Sequence, residues 1–534
     1  MSIPSASDAV ALEIFRHLFT ALAEEMGAAL KRASFSPNIK ERQDYSCALF
    51  NPSGSAVSVG DHMPVHLGAM PMSVEAALEE LGDLEPGDVI CVNDPFRGGT
   101  HLPDITLISA VHGPETRLLG YVASRAHHSD VGGSTPGSMP LAREIFEEGI
   151  RIPPVRLYRG GVLNEDLWKT VLANVRTPLE RAGDLDAQLG ALHAGSARLL
   201  EIAERRGVDA TLAAMDALIA YADRLIEVGL ERVPDGRYEA EDFMEDDGFG
   251  SGPVPINVAL TVRGAGLQID FTGTSPQVPG GINAVAAITS SATRYVVRCV
   301  VEALLGESLP AGGGSMSAVT MVLPEASLVN AVLPASVAAG NVETSQRITD
   351  VLMRAFGIAL PELMPALSQG TMNNTTVGGI DPRNGKAFAY YETVGGGMGA
   401  GPTGPGLSGV HCHMSNSLNT PVEALEHAYP YRVTQYGIRR GSGGTGLHRG
   451  GDGLRRDLML LSPTRMALLC ERRTAGPSGA QGGEAGAPGE NVLIRDGVEE
   501  PLPGKVTFST RAGDVISIRS PGGGGWGVAP GADS

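Results

Sequence analysis

The chain has 534 residues, and 60 acidic residues against 41 basic ones give it a net charge of -19. This charge repels the phosphates of nucleic acids, so we expect no nucleic-acid partner. Hydrophobic residues make up 42% of the chain, but no uninterrupted apolar run reaches the roughly 18 residues that a membrane-spanning helix needs, so we predict no membrane span, signal peptide or anchor.

The cysteines indicate a reducing environment. None of the five forms a CxxC pair with another, so neither a thiolate zinc site nor a disulfide framework is predicted, and we expect a cytoplasmic protein. The length suggests about two to four lobes. With 71 glycines, 36 prolines and only 19% charged residues, the composition is typical of a compact, loop-rich protein.

The N-terminal third shows one helical and several strand patterns. Residues 7–33 have apolar side chains at close to helical spacing and predict a docked helix. The stretch "DYSCALFNPSGSAVSVGD" predicts a hairpin whose two ends, Asp44 and Asp61-His62, meet at one edge. Three further strands are predicted in "DVICVND", "ITLISAVH" and "LGYVASRAHH", with a short polar turn between the last two.

The order of these strands predicts which side chains meet. Asp104 opens the second of the three strands and His127 closes the third. Because antiparallel strands bring the start of one beside the end of the next, we expect Asp104 and His127 at the same end of the sheet. His101, in the loop that precedes Asp104, is expected beside them, and so is Asp94, which closes the first strand.

After the N-terminal third, the sequence pattern is first helical and then typical of β-strands. Residues 183–232 have a helical pattern broken at Gly207, which predicts an αα-hairpin. Beyond Asp235, "INVALTVRGAGLQIDFTGTS" predicts a β-hairpin, and the last third mixes short strands with glycine loops. We therefore predict a multi-lobed α+β fold with mixed and antiparallel sheets and a helical hairpin. Its predicted domains are an N-terminal metal-site α+β lobe (1–182), the helical hairpin (183–234), a β-rich lobe (235–345) and a glycine-rich α/β lobe (346–534).

The strongest candidate site collects histidines and aspartates from the ends of the N-terminal strands: Asp44, His101, Asp104, His127, His128 and Asp130. Imidazoles and carboxylates suit zinc, manganese or iron, and three protein ligands with an open position leave room for a water to be activated. The alternative is that His101 bonds a loop carbonyl while Asp104 and Asp130 cap turns. Spacing alone leaves both open, because HxxD is a short pattern; the histidine pair at a strand end favours a metal.

Other motifs do not indicate a nucleotide site. "GSGGTG" (441–446) fits GxGxxG, but "LHRGGDG" follows it and cannot readily form the helix that a dinucleotide site requires. The sequence has no GxxxxGK[ST] loop and no GxSxG elbow. Glycine clusters at 394–406 and 441–453 predict tight turns, with mobile lids as the alternative. "NVETSQR" (341–347) and "NN" (373–374) can line a pocket or close turns, and nothing local decides.

As a set, the motifs resemble the hydantoinase B family from about residue 8 to about residue 525. The stretches that carry the resemblance include "SPNIKERQDYSCALF", "HMPVHLGAM", "NDPFRGGTHLPDITLI", "ASRAHHSDVGGSTPGSMP", "GNVETSQRITD" and "GSGGTGLHRGGDG". That family includes the B subunits of ATP-dependent N-methylhydantoinases, the matching half of 5-oxoprolinases and the larger related subunit of acetone carboxylases. The resemblance implies a hetero-oligomer in which a separate hydantoinase A-type partner, not this chain, binds ATP.

The resemblance also implies one divalent metal ion on this chain. The family's His-x-x-Asp and downstream histidine match the metal ligands His101, Asp104 and His127. A further acidic ligand comes from "ERQDYS", where we favour Asp44 because it opens the hairpin strand, with Glu41 as the alternative. The catalytic candidates His128 and Asp130 are then expected to orient the ligands.

The implied chemistry is the opening of a small cyclic amide or imide. An unstrained amide is a poor electrophile, so the partner would phosphorylate its carbonyl oxygen, and the metal would lower the pKa of a bound water to supply hydroxide. One alternative is a subunit of an acetone- or acetophenone-type carboxylase, which the chain length disfavours. The other is a non-catalytic scaffold for the A-type partner. The three convergent ligands disfavour this alternative, because a scaffold does not need them.

Overall fold

The computed structural model describes residues 6–60 and 63–530, and the side chains from residue 9 onward within them. Asp61 and His62, one of the two predicted hairpin ends, lie outside the described residues. No helix in the described part of the chain is long and apolar enough to cross a membrane. The α-helices of the described residues are α1 (Ala6–Ala33), α2 (Pro37–Lys40), α3 (Ala69–Leu81), α4 (Glu165–Ala173), α5 (Pro178–Arg206), α6 (Val208–Leu230), α7 (Ala286–Leu305), α8 (Ser345–Ala359) and α9 (Val422–Ala428).

The strands of the described residues form four sheets, in the orders β2-β1-β5-β4-β3-β6-β7, β11-β10-β9-β8, β13-β12-β16-β19 and β14-β15-β20-β17-β18. Their bounds are β1 (Tyr45–Phe50), β2 (Ala56–Val59), β3 (Val89–Val92), β4 (Asp104–His112), β5 (Leu118–His127), β6 (Val155–Arg159), β7 (Val162–Leu163), β8 (Gly236–Met244), β9 (Val254–Arg263), β10 (Gly266–Asp270), β11 (Val319–Val322), β12 (Asn374–Ile380), β13 (Ala387–Glu392), β14 (Tyr431–Arg439), β15 (Gly453–Leu460), β16 (Thr464–Leu469), β17 (Glu490–Arg495), β18 (Val498–Leu502), β19 (Lys505–Ser509) and β20 (Val515–Arg519). Neighbouring strands are antiparallel except β10 and β11, which are parallel. The predicted α+β class with mixed and antiparallel sheets is confirmed.

The first sheet contains the predicted N-terminal strands, and it is buried on both faces. Side chains alternate along each strand: Leu107 belongs to the core under α1 and α5, whereas Ile108 belongs to the core under α3. This two-sided burial explains why the strands are almost continuously apolar in sequence. The predicted antiparallel pairing of β4 with β5 is confirmed, with Asp104 directly opposite His127.

The predicted helical hairpin is present as α5 and α6, which are joined at Gly207. Gly207 has φ +93, a left-handed conformation that favours glycine at the junction. The predicted hairpin of β9 and β10 is also present, with Arg263 opposite Gly266. One hydrophobic core contains residues from Phe15 to Leu469 and therefore crosses the predicted domain boundaries, which stay predictions.

The predicted β-rich lobe also contains the 20-residue helix α7, which sequence patterns did not reveal. Its sequence "AAITSSATRYVVRCVVEALL" is rich in valine, isoleucine, threonine and serine, residues that have low intrinsic helix propensity. Tertiary packing overrides that preference, because α7 packs against α6 and α8. A π-helical turn, Gly340–Thr344, leads directly into α8.

The glycine clusters contain tight turns, such as the one in which Gly401 N donates to Gly404 O at 3.0 Å, and they also contribute to a close-packed group of extended segments. We call this group the glycine bundle; it consists of residues 395–399, 443–453, 483–486 and 522–525. Backbone hydrogen bonds run between the segments, for example from Gly444 N to Gly523 O (2.8 Å) and from Gly523 N to Gly451 O (2.9 Å). No helix follows Gly446 before residue 530, the end of the described chain, so the discounted dinucleotide motif has no helical context.

Candidate metal centre

The loop between β3 and β4 brings His101 beside the first residue of β4. Gly98 has φ +79, and a Cβ on Gly99 would lie 2.6 Å from Asp94 O, so the tight turn needs both glycines. The Asn93 side-chain amide donates to Leu102 O at 2.7 Å and holds the loop against the end of β3. This loop and the register of β4 with β5 together place His101, Asp104 and His127 at one sheet end.

Three donor atoms from these residues form a nearly equilateral triangle. His101 Nε2 lies 3.1 Å from Asp104 Oδ1, His127 Nδ1 lies 3.2 Å from the same oxygen, and the two nitrogens are 3.2 Å apart. All three side chains are buried. Metal–ligand bonds of about 2.0–2.2 Å at angles near 90–110° put donor atoms about 3.0–3.5 Å apart, so the triangle fits one divalent ion.

Each imidazole of the triangle is held by a neighbour. His101 Nδ1 lies 3.3 Å from Ala338 O, a contact that leaves Nε2 free to act as an acceptor or ligand. The His127 ring stacks on Tyr391 with a centroid distance of 4.4 Å, and Tyr391 donates its hydroxyl hydrogen to Asn374 Oδ1 at 2.8 Å. These contacts fix the direction of both ligand nitrogens.

Asp104 is kept ionised by its surroundings. Burial alone would raise the pKa of its carboxyl, but His101 and hydrogen bonds from the neighbouring histidines hold that pKa well below its usual range. Its second oxygen, Oδ2, accepts a hydrogen bond from Thr100 Oγ1 at 2.6 Å and lies 3.4 Å from His66 Nε2. Burial lowers the pKa of His127, which favours the neutral imidazole that a metal needs.

The triangle borders a small cavity with about 10 Å³ of free volume, which is room for about one water molecule or ion. Its walls combine a few apolar side chains with many polar ones. The lining residues are Asp44, Met63, Val65, His66, Asp104, His127, Asn341, Val342, Met372, Tyr391, Thr393, Ser415 and Ser417.

The structure brings Asp44, but not Glu41, to this cavity. The backbone oxygen of Asp44 accepts a hydrogen bond from His127 N at 3.0 Å, and Asp44 Oδ2 lies 3.7 Å from Arg42 Nη2. Among the described residues, the carboxylate of Asp44 does not join the group of ligand atoms that lie within 4.8 Å of one another. Asp44 therefore borders the triangle from the side of Arg42.

His128 and Asp130 do not line the cavity. His128 Nε2 lies 2.9 Å from Gln188 Oε1 on α5, and burial lowers the pKa of His128 to about 4. Asp130 accepts hydrogen bonds from Arg176 N at 2.7 Å and from Arg176 Nη1 at 2.8 Å. The first contact joins the end of β5 to α5, the second joins the following loop to the loop between α4 and α5, and a part for these residues in orienting the ligands stays a prediction.

The chain is similar over nearly its whole length to proteins of one family. The model of the family described as Hydantoinase B/oxoprolinase matches residues 8–529. The chain belongs to the hydantoinase B/oxoprolinase family. It is 40% identical to 5-oxoprolinase 1 of Arabidopsis thaliana over 98% of this chain, but it spans only 42% of that relative's length. It is 29% identical to a protein of Pseudomonas sp. strain NS671 that is described as the B subunit of a D-/L-hydantoinase, over 97% of this chain and 90% of the relative.

Two solved structures have the same overall arrangement. The ATP-dependent caprolactamase of Pseudomonas jessenii superimposes with a TM-score of 0.90 and 29% sequence identity, covering 99% of this chain and 93% of that chain. Acetone carboxylase, in its nucleotide-free structure, superimposes with a TM-score of 0.85 over 97% of this chain and 76% of its own. At 18% identity, the second likeness concerns the fold alone.

Several cavity residues of this hydantoinase B/oxoprolinase chain were not found by sequence reasoning. Thr393, Ser415 and Ser417 line the cavity with hydroxyl-bearing side chains, and Thr393 Oγ1 lies 3.0 Å from Ser417 Oγ. Ser415 Oγ lies 2.9 Å from His411 Nδ1, and burial lowers the pKa of His411 to about 3. Single scattered serines give no sequence signal. The stretch "HCHMSNS" (411–417), which contains two histidines and two of these serines, could have been recognised as a candidate motif.

Glu148 positions the backbone that faces His101. Its Oε1 accepts hydrogen bonds from Val337 N at 2.7 Å, from Ala338 N at 3.0 Å and from the Ser336 hydroxyl, while Ala338 O contacts His101. Burial raises the pKa of Glu148 from its ordinary value of 4.5 to about 7. The folded protein therefore holds this proton more tightly than the unfolded chain does.

We expect Glu148→Gln to flatten part of the pH dependence of stability. Between about pH 4.5 and 7 the folded state keeps the Glu148 proton that the unfolded chain releases, so wild-type stability falls as the pH rises through this window. The wild type should lose on the order of 2–3 kcal/mol of stability across this window, whereas the glutamine variant should not show this loss because glutamine cannot ionise. Thermal unfolding of both proteins at about pH 5 and pH 8 measures this, and parallel changes in Tm would contradict it.

Proposed function

We propose that this chain is the metal-bearing B subunit of an ATP-dependent cyclic amide or imide hydrolase of the N-methylhydantoinase/5-oxoprolinase type. The observation that carries the proposal is the buried triangle of His101, Asp104 and His127 beside a cavity that has room for one ion. The names of the relatives support the hydrolase class, since they include 5-oxoprolinases, a hydantoinase component and an ATP-dependent caprolactamase.

The donor set fits zinc, manganese or iron in the divalent state. His101, Asp104 and His127 would hold the ion, with Asp44 at the side of the site. When bound, such an ion polarises a carbonyl and lowers the pKa of a bound water towards neutrality. The low pKa of Asp104 supports this assignment, because the carboxylate needs no deprotonation before it binds a cation.

The remaining cavity residues would contact the carbonyl end of a substrate beside the ion, and the cavity would have to widen to admit a whole ring, because its free volume holds only about one ion. The hydroxyls of Thr393, Ser415 and Ser417 can donate to carbonyl oxygens and accept from ring N–H groups of a small cyclic amide. Met63 and Met372 close the cavity with apolar surface, which limits competing water. Neutral His411 can hydrogen-bond to Ser415 Oγ and so orient that hydroxyl towards a bound group.

Activation of the amide is assigned to a partner. The chain contains no phosphate-binding loop of the GxxxxGK[ST] type, and it spans 42% of the plant 5-oxoprolinase but 90% of the Pseudomonas hydantoinase protein. We therefore infer that a separate hydantoinase A-type partner binds ATP and phosphorylates the carbonyl oxygen, in a cytoplasmic hetero-oligomer. Phosphorylation draws electrons from the carbonyl carbon, so that hydroxide can add there. The ring C–N bond of the adduct then breaks as the nitrogen takes up a proton, and water hydrolyses the resulting acyl phosphate to release phosphate.

The decisive experiment co-purifies this chain with an A-type partner. We expect about one divalent ion per chain and ATP hydrolysis in step with ring opening of a hydantoin or 5-oxoproline, with neither protein sufficient alone. Full turnover by a rigorously metal-free complex would contradict the metal assignment. Turnover that requires bicarbonate and a ketone would make the chain part of a carboxylase, and ring opening by the partner alone would leave this chain only a scaffold.

A further inference from the structure

The π-helical turn before α8 places one more polar side chain at the triangle. Asn341 is 3% exposed, and its Nδ2 lies 3.0 Å from His101 Nε2 and 3.4 Å from Asp104 Oδ2. The close approach depends on Gly340, where a Cβ would lie 1.8 Å from Asn283 O. Ser345 also donates its hydroxyl hydrogen to Asn341 O at 2.7 Å, a local bond to the backbone four residues earlier. π-helical turns of this kind occur frequently at functional sites.

The hydrogen bonding of Asn341 is incomplete in an informative way. Its Oδ1 is buried and has no hydrogen-bond partner among the described residues, although an unpaired buried amide oxygen is unfavourable. Its Nδ2 instead points at the ring nitrogen and carboxylate that form the triangle. Without a cation, donation from Nδ2 to the carboxylate Oδ2 of Asp104 accounts for this orientation.

A bound cation reverses that preference. Once His101 Nε2 and Asp104 share their electrons with a metal ion, the N–H groups of Asn341 would point at a positive charge. Half a turn of the planar amide exchanges Oδ1 and Nδ2 with almost no change in shape. The oxygen then faces the ion and Nδ2 takes the position that Oδ1 had. Because Oδ1 has no partner in that position among the described residues, the exchange adds no further unpaired group.

We propose that Asn341 is a fourth protein ligand, binding the metal ion through Oδ1. The inference rests on the proposed function, since it requires that the triangle holds a divalent cation. An amide oxygen added to two imidazoles and a carboxylate makes the donor set harder, which favours manganese or iron with further open positions over a closed tetrahedral zinc site. It also joins the ion to the turn that leads into α8, because Asn341 is 237 residues away in sequence from Asp104.

The test is metal binding by the full-length chain, with or without its partner. Metal-free wild type, Asn341→Leu, Asn341→Asp and Ser345→Ala are titrated with Mn²⁺, and the visible spectrum of the Co²⁺ forms is recorded. We expect Asn341→Leu, which has similar volume but no oxygen, to lose at least about tenfold in affinity and to change the Co²⁺ spectrum. Asn341→Asp keeps an oxygen donor and should bind at least as tightly as wild type.

Ser345→Ala is the matched control, because it removes a bond within the same turn and leaves the amide in place. It should bind metal like wild type. Unchanged affinity and an unchanged Co²⁺ spectrum in Asn341→Leu would overturn the inference, as would a loss in Asn341→Asp or an equal loss in Ser345→Ala. These outcomes leave the proposed function standing, whereas a wild-type chain that binds no divalent ion overturns both.

Discussion

Asp104→Ala is expected to remove the proposed metal ion and, with the proposed A-type partner present, the proposed amide hydrolysis. Asp104 Oδ1 lies 3.1 Å from His101 Nε2 and 3.2 Å from His127 Nδ1, so it is the one corner of the triangle that carries negative charge. Without it, a cation would face two buried imidazoles and repel their protonated forms. Loss of an indirect partner of a metal ligand costs about 10–100-fold in affinity; we expect more than about 100-fold here.

The measurement is metal content per chain together with coupled ATP and amide hydrolysis by the reconstituted complex. Asp88→Asn is the matched control, because Asp88 is also a buried aspartate of the same sheet region but pairs with Arg156 at 2.9 Å, outside the cavity. It should keep the metal. An Asp104→Ala protein that retains a full equivalent of tightly bound ion would show that the triangle is a hydrogen-bonded cluster rather than a metal centre.

The sequence predicted the part of the site that depends on neighbouring strands. The reversal between β4 and β5 fixes the pairing of Asp104 with His127, and a hairpin can be inferred from alternation and turn residues alone. The αα-hairpin was predictable for the same reason, since its helical pattern and the break at Gly207 are local. Short-range sequence patterns were therefore sufficient to predict that Asp104 and His127 lie together.

The cavity residues outside the triangle depend on long-range packing. Asn341 comes from a π-helical turn and Ser415 from a loop near the C-terminal sheets, and neither position has a periodic signal. The turn also depends on α7, with which α8 packs, and α7 is a helix whose own residues favour strands. Family resemblance marked "GNVETSQRITD" as a motif, but only the fold shows that its asparagine faces His101.

The pair His127-His128 shows a second limit of sequence reasoning. Successive side chains along a strand point to opposite faces, so two adjacent histidines at the end of β5 cannot both face one ion. His127 faces the triangle, and His128 faces Gln188 on α5. The family resemblance selected His127 as the ligand, and the position of α5 shows what His128 contacts.

Gly523→Ala is expected to cause a larger loss of stability than any of the substitutions above. A Cβ at Gly523 would lie 2.0 Å from Met398 O and 2.3 Å from its carbonyl carbon, far inside van der Waals contact. The segments cannot separate easily, because Gly523 N donates to Gly451 O and Gly523 O accepts from Gly444 N in the glycine bundle. We expect a loss on the order of 4 kcal/mol or more, or failure to fold.

Gly437→Ala is the matched control for this prediction. Gly437 lies in β14, has no left-handed φ, and a Cβ there would meet no atom within 4 Å, so its substitution should change stability by no more than about 0.5 kcal/mol. Thermal unfolding and soluble yield compare the two variants. Equal Tm values would show that the backbones of the bundle are not in contact. Because Gly396 pairs with Val410 in an antiparallel bridge next to the Ser415 loop, a partly folded Gly523→Ala protein should also bind substrate more weakly while keeping the metal triangle.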